Sequence, residues 1–292
     1  MFEKIIDNTS NIIVGNSEKI KLTLAAIVSE GSILIEDYPG SGKTTFAKAI
    51  TQSLGLDFKR LQFTSDLLPS DILGFNMFSN ENIKFQKGPI FTNIVLADEL
   101  NRGSPKSQSA FLEAMEEKNV SIDGVSHNLP EPFFVIATQN PMDSSGTSSL
   151  PDSQLDRFMI SYSLSDLNDD EKIKMLKKEI NFTSEIFEKI DWLKIKEKKN
   201  NIIVKDRIYK YVINIEQTIQ SIEKKIYISA RCLKQIIDLA KGWAIINDKD
   251  YVTHQDIKDT IPYILRHRIK FLNQEEKIEF VKKEILEKID ID

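Results

Sequence analysis

Five short apolar runs punctuate the first half of the chain: Ile33-Leu34-Ile35, Leu61 to Phe63, Ile94-Val95-Leu96-Ala97, Phe133 to Ala137 and Phe158 to Ile160. Runs that are apolar throughout, rather than alternating, belong to strands covered on both faces. Helix-length segments separate them, so the pattern predicts a parallel sheet between two layers of helices. Beyond about residue 165 the period changes. Ile208, Tyr211, Val212, Ile215, Ile219 and Ile222 follow helical spacing, as do Leu233, Ile236, Ile237, Ala240, Trp243 and Ala244, and again Ile278, Val281, Ile285 and Ile289. Thr253 and Asp256 have the spacing of a capping box that opens a further helix. The chain thus reads as an α/β domain over residues 1–164 and a small all-α domain of roughly four helices over residues 165–292, with no internal repeat.

Composition sharpens this division. Only Gly242 of the 11 glycines and Pro262 of the 9 prolines lie beyond Pro151. Residues 1–164 hold 13 Lys/Arg against 20 Asp/Glu, and residues 165–292 hold 26 against 24, giving the net charge of −5. That balance argues against a protein held on nucleic acid by bulk positive charge. The single cysteine, Cys232, cannot form an intrachain disulfide or a multi-cysteine metal site, and His127, His254 and His267 lie far apart. Met1 to Gly15 lacks the apolar core of a secretory leader, and no segment approaches the ~18 apolar residues of a membrane span, so a cytoplasmic location is expected.

Chemistry enters where the runs end. The first passes into Asp37-Tyr38-Pro39-Gly40-Ser41-Gly42-Lys43-Thr44-Thr45, followed by a helical segment with Ala47, Ile50, Thr51 and Leu54 on one face and a stop at Gly55. In such a strand, loop and helix, Pro39-Gly40 supplies the turn, successive backbone N–H groups from Gly40 to Thr45 cradle phosphates, Lys43 reaches the β and γ phosphates, and the Thr44 hydroxyl binds Mg²⁺. The strict G-x-x-x-x-G-K-[ST] pattern fails at one position, where Asp37 stands for the first glycine. Ile94 to Ala97 ends in Asp98-Glu99, two carboxylates at the strand end where ligands sit in open α/β sheets. Asp98 can hold the Mg²⁺ through water and Glu99 can polarise the attacking water, although such a pair also serves to cap helices. Val135 to Ala137 leads into Thr138-Gln139-Asn140-Pro141, placing Asn140 beside Glu99 if the strands are neighbours, where it orients the water or contacts the γ-phosphate. Arg157 stands just before the last run, a place where a lone arginine usually makes a surface ion pair. Ser104-Pro105 has the form of a helix start, and Val120 to Val125 that of a hairpin around Asp123-Gly124.

Taken together, these segments resemble the MoxR family of AAA+ ATPases from about Ile12 to Phe271. The resemblance rests on Glu36 to Thr44, Phe85 to Phe91, Asn93 to Arg102, Leu112 to Glu117, Leu129 to Pro141, Gln154 to Phe158 and Leu265 to Arg268. It implies a P-loop AAA+ core, with a five-stranded parallel sheet between helices, followed by a small all-α lid domain. It also implies ATP/ADP and Mg²⁺ as ligands, a hexameric ring as the homo-oligomer, a protein client that is remodelled or matured in a chaperone-like way, and a partner with a von Willebrand factor A domain. Lys43 and Thr44 match the Walker A pair, Asp98 and Glu99 the Walker B pair, and Asn140 the sensor 1 residue. Arg157 matches the arginine finger that reaches the next subunit's γ-phosphate. Ser229-Ala230-Arg231 is similar to the sensor 2 segment without its usual preceding Gly and Pro, which makes Arg231 the candidate there. Val14-Gly15 is similar to the adenine-pocket stretch, Phe63 to Phe78 to the region of the insertion in the second helix, and the Asp123-Gly124 hairpin to one facing the ring's pore. Arg102 is either a contact to a neighbouring subunit or a local ion pair.

Two other functions share such a core. A nucleic-acid motor conflicts with the acidic first half, and Lys194 to Lys199 and Arg266 to Lys270 read more simply as solvated helix faces or lid contacts. A nucleotide switch that binds ATP with little hydrolysis conflicts with the Asp98-Glu99 pair and Arg157. Trp192, Trp243 and Cys232 are read as core residues, and His254 and His267 as surface or satisfied polar residues of the lid.

Overall fold

A computed structural model of the chain describes residues 2–79, 82–140, 150–164, 169–177, 190–222, 226–274 and 276–289. Pro141, which closes the fourth apolar segment, and residues 165–168, where the sequence divides, lie outside them.

The apolar runs form a five-stranded parallel sheet in the order β2-β5-β8-β1-β9, from β1 (Ile33–Glu36), β2 (Phe58–Gln62), β5 (Ile94–Asp98), β8 (Phe134–Gln139) and β9 (Ile160–Tyr162). Every residue of β1, β5 and β9 is buried, as continuous apolar runs require. Alternate residues serve opposite faces. Ile33, Ile35, Ile94, Leu96, Phe134 and Ile136 pack with the helices α1 (Phe2–Ile12), α2 (Ser17–Val28) and α3 (Lys43–Leu54), whereas Leu34, Val95, Ala97, Val135 and Ala137 pack with α5 (Pro105–Glu117).

Two strands start away from their apolar runs. β2 begins at Phe58, three residues before Leu61, because this sheet edge carries the exposed Lys59 and Arg60 that hide it in the sequence. β9 begins at Ile160 because Arg157 and Phe158 still close the turn after α6 (Asp152–Leu155), donating their N–H groups to Gln154 O and Leu155 O.

Two antiparallel hairpins stand off the sheet. α4 (Pro69–Leu73) leads into β3 (Gly74–Ser79) and β4 (Asn82–Lys87), in the region the family resemblance marks for an insertion. β6 (Asn119–Ile122) and β7 (Val125–Asn128) turn at Asp123 and Gly124, whose φ values of 50° and 81° are those of a two-residue hairpin turn. The hairpins touch: Phe85 stacks on His127 at 4.0 Å, and Asn76 Nδ2 donates to Asp123 at 2.7 Å.

The helical domain is larger than four helices. Its described residues form α7 (Asp169–Lys177), α8 (Trp192–Asn201), α9 (Asp206–Ser221), α10 (Ala230–Ile246), α11 (His254–Leu265) and α12 (Glu276–Phe280), the last continuing through a π turn (Val281–Ile285). α7 has no buried residue and α8 only Ile195, so neither shows a helical apolar stripe in the sequence. α9 to α11 follow their predicted periods, and Thr253 and Asp256 make the capping box, each backbone N–H donating to the other's side chain. α10 lies against α2 so closely that a Cβ on Gly242 would stand 2.3 Å from both Ala25 O and Ser29 Oγ. The helical domain therefore shares one continuous core with the sheet's α2 face. His267 is not on the surface; it is buried at this junction among Arg266, Arg268 and Lys277, and burial with these cations pushes its imidazole well below the usual histidine range.

Candidate active site

The loop after β1 is held from behind by Asp37. Its buried carboxylate accepts the N–H of Leu164 at 2.8 Å and that of Tyr38 at 2.9 Å, tying the loop to the chain leaving β9. This task explains an aspartate where the strict phosphate-loop pattern has glycine. Gly40 and Gly42 take φ values of 84° and 83° with open space around them, so glycine is needed here for backbone conformation rather than room. With Gly42 as the cap of α3, the helix's first N–H groups face the cleft without a competing side chain. Lys43 lies across the loop, its Nζ donating to Tyr38 O at 2.6 Å, Asp37 O at 3.1 Å and Ser41 Oγ at 3.3 Å.

The carboxylates reach the same cleft from β5. Asp98 is buried, its Oδ1 accepting from Thr138 Oγ1 at 2.6 Å and its Oδ2 from Arg60 Nε at 3.0 Å and Arg60 Nη2 at 2.6 Å. Glu99 follows in a left-handed conformation (φ 54°), its N–H donating to Thr138 Oγ1 at 2.9 Å. That turn directs its side chain along the sheet edge, where Oε2 accepts from Gln62 Nε2 at 2.7 Å and Arg102 Nη1 at 3.0 Å. The bond from Arg102 is the local ion pair of the two readings given above.

A cleft of about 390 Å³ gathers Pro39, Gly40, Ser41, Gly42, Lys43, Thr44, Thr45, Asp98, Glu99 and Asn140, together with Arg60, Thr138 and Gln139. β5 and β8 are neighbours, but the residue bonded to both Asp98 and Glu99 is Thr138, with Asn140 two residues on at the cleft wall. Among the described residues no three His, Cys, Asp or Glu side chains form a metal cluster. A hydroxyl at Thr44 and a single carboxylate at Asp98 nevertheless suit Mg²⁺, a hard cation that keeps waters and draws further oxygens from phosphates.

A second, mostly apolar cleft adjoins the first and shares Ser41, Gly42 and Thr45 with it. Ile12, Ile13, Val14, Phe46, Leu164 and Met175 form its walls, with Asn16 beside them. Gly15, at φ 69°, makes the turn behind Val14 and is not part of the wall.

Arg157 and Arg231 line neither cleft and share one partner, Glu116. Arg157 Nε lies 3.1 Å from Glu116 Oε2, and Arg231 Nη2 bonds Glu116 Oε1. Asp156 fastens the sheet domain to three residues of the helical domain, Arg231 among them. Its carboxylate accepts from Ser229 Oγ at 2.8 Å, Arg231 Nη1 at 3.3 Å and the buried Arg268 Nη2 at 2.9 Å. Ser229 also caps α10, accepting from Cys232 N at 2.9 Å. The sequence marks Asp37 only as a departure from glycine and assigns no role to Arg60, Gln62, Thr138 or Asp156; for Arg60 and Gln62 the available signal is their alternation as long polar residues along β2.

Comparison with known proteins agrees with this geometry. The model of the ATPase family associated with various cellular activities (AAA) matches residues 32–160, and an AAA lid domain matches residues 216–289. The chaperone MoxR1 of Mycobacterium tuberculosis is 33% identical over 91% of this chain and 75% of its own length. This chain belongs to the MoxR family of AAA+ ATPases. Another relative, the uncharacterized protein YeaC of Bacillus subtilis, is 38% identical over 97% of this chain and 91% of its own. The crystal structure of a presumptive ATPase from Cytophaga hutchinsonii superposes with a TM-score of 0.86 at 35% identity, covering 99% of this chain and 94% of that one. As a MoxR-family member the chain is an ATPase, built from a nucleotide-binding AAA core and a helical lid. Among the described residues no helix is long and apolar enough to cross a membrane.

Proposed function

We propose that this MoxR-family chain is a Mg²⁺-dependent ATPase of the cytoplasm that assembles into a hexameric ring and remodels a protein client in a chaperone-like way. The observation that carries the reading is the division of the candidate residues into two groups. Lys43, Thr44, Asp98, Glu99 and Asn140 line one cleft, while Arg157 and Arg231 are joined through Glu116 outside it. An arginine that acts on a phosphate it cannot reach in its own subunit needs a neighbour, and a head-to-tail ring supplies one at every interface. We place the division between core and lid at residues 164 and 165.

In this reading the backbone of Pro39 to Thr45 and the N-terminus of α3 hold the phosphates of ATP, and Val14 and Gly15 shape the pocket for adenine. Lys43 exchanges the carbonyls of Asp37 and Tyr38 for β- and γ-phosphate oxygens. Thr44, and Asp98 through water, would hold Mg²⁺, which would supply positive charge against that developing on the phosphates. Glu99 gives up Gln62 and Arg102 to accept a proton from the attacking water, which Asn140 orients. Arg157 of the adjoining subunit, with Arg231 beside it, stabilises the transition state on the γ-phosphate. The chaperone-like role is supported by the MoxR1 relative, and the partner that the family resemblance implies, a von Willebrand factor A domain protein, would bring the client.

The test is Glu99→Gln. The variant should bind ATP as the native chain does and lose turnover by at least ~10²-fold, the lower end of what a positioned base contributes. Native turnover in the variant would remove Glu99 from the mechanism.

A further inference from the structure

Asp98 is the carboxylate read as the metal's, yet both of its oxygens are already engaged. Thr138 donates to Oδ1, and Arg60 sets two N–H groups on Oδ2, at 3.0 and 2.6 Å. Arg60 is fixed in turn by a bond from Nη2 to Gln62 Oε1 at 2.6 Å. It projects from the edge strand β2 on the face that carries Gln62 and Asp98, since Gln62 pairs with Asp98 in the sheet, and it lines the phosphate cleft. A hydrated divalent ion approaching Asp98 meets a full positive charge already in hydrogen-bond contact with the oxygen that its water would reach, and like charges so close repel each other.

We propose that Arg60 competes with Mg²⁺ for Asp98 and so sets the affinity of this site for the metal. The proposal rests on the reading of Asp98 as a metal-holding residue. While Arg60 holds Asp98, the carboxylate's charge is matched and bare Mg²⁺ gains little there. The metal therefore enters with the nucleotide, whose phosphates supply the negative charge and the ligands that displace the guanidinium. Arg60 acts here as a positioning residue, and the half-exposure of its side chain leaves it free to swing away. A role confined to holding the sheet edge would leave metal affinity unchanged.

The experiment measures Mn²⁺ binding to the intact, nucleotide-free chain by loss of the free-ion electron paramagnetic resonance signal, with urea unfolding to establish that each variant is folded. Arg60→Gln should bind Mn²⁺ about two- to five-fold more tightly than the native chain, the upper part of the range of an ion pair in a half-exposed setting. Arg60→Lys, which keeps the charge but loses the paired donors, should gain less. The gain should vanish in Arg60→Gln combined with Asp98→Asn. Unchanged or weaker Mn²⁺ binding in Arg60→Gln overturns the competition. A gain that survives Asp98→Asn also overturns it, because the ion then sits elsewhere. Asp98→Asn alone separates the two readings. If its ATP hydrolysis needs no more Mg²⁺ than the native chain's, Asp98 is not the metal's residue and both readings fall; if it needs more while Arg60→Gln binds Mn²⁺ as the native chain does, only the competition falls.

Discussion

Replacing Asp156 with Ala should weaken the junction between the sheet domain and the lid, at a cost that follows from what it leaves behind. Asp156 is the only carboxylate among the described partners of Arg268, whose side chain is 5% exposed. Removing one member of a buried ion pair costs about 3 to 5 kcal/mol, because the other charge stays in the interior without its counter-ion. Arg268 keeps Gln235 Oε1 at 2.9 Å and the carbonyl of Ile264, which places the loss near the lower end, about 3 kcal/mol. Urea unfolding followed by circular dichroism should show this as a lower midpoint with an unchanged slope. If the cost is the orphaned guanidinium, then adding Arg268→Met to Asp156→Ala should recover more than half of it, since no unpaired charge remains. A loss under ~1 kcal/mol, or no recovery in the double variant, would refute the reasoning, because a surface ion pair behaves in that way.

Further outcomes follow from the same geometry. Gly242→Ala should destabilise the chain by about 1 to 3 kcal/mol in urea unfolding, because its Cβ meets Ala25 O and Ser29 Oγ at 2.3 Å and α10 must move off α2; full stability would mean the helices part freely. His267 is held neutral in the folded chain while an unfolded histidine takes up a proton below about pH 6.5, so the unfolded state binds more protons there and stability falls as pH drops through that value. The slope attributable to one such group rises toward about 1.4 kcal/mol per pH unit below that value, about 1.2 kcal/mol in all between pH 7 and 5.5, and a His267→Gln variant should lack it. An unchanged slope in that variant would place the titration elsewhere.

The parts of the fold legible in the sequence are those whose residues face one environment along their whole length. β1, β5 and β8 could be read because both faces are buried, and the turn at Asp123 and Gly124 because two consecutive positive φ values demand such residues. α7 and α8 could not, since their side chains are mostly exposed and the lysines of α8 look like any solvated run. In the site, the loop residues and the Asp98-Glu99 pair stand out because their chemistry is local in sequence. Thr138, Arg60 and Gln62 do not, because what brings them against Asp98 and Glu99 is strand register, which joins β2, β5 and β8 from distant segments. Arg157 and Arg231 share Glu116 at the end of α5, a third distant segment, and no spacing in the sequence encodes this.

The central claim is a nucleotide site shared between subunits, and mixing two inactive variants tests it most directly. Lys43→Ala lacks the phosphate-holding lysine and Arg157→Ala lacks the finger, so each alone should hydrolyse ATP poorly. In a mixed ring, a site from an Arg157→Ala subunit facing a Lys43→Ala neighbour has both groups, and random assembly of a head-to-tail ring makes about a quarter of the interfaces of this kind. The account predicts activity in the mixture approaching that fraction of the native value. Native turnover by Arg157→Ala alone, or a mixture no more active than its two components, would contradict it.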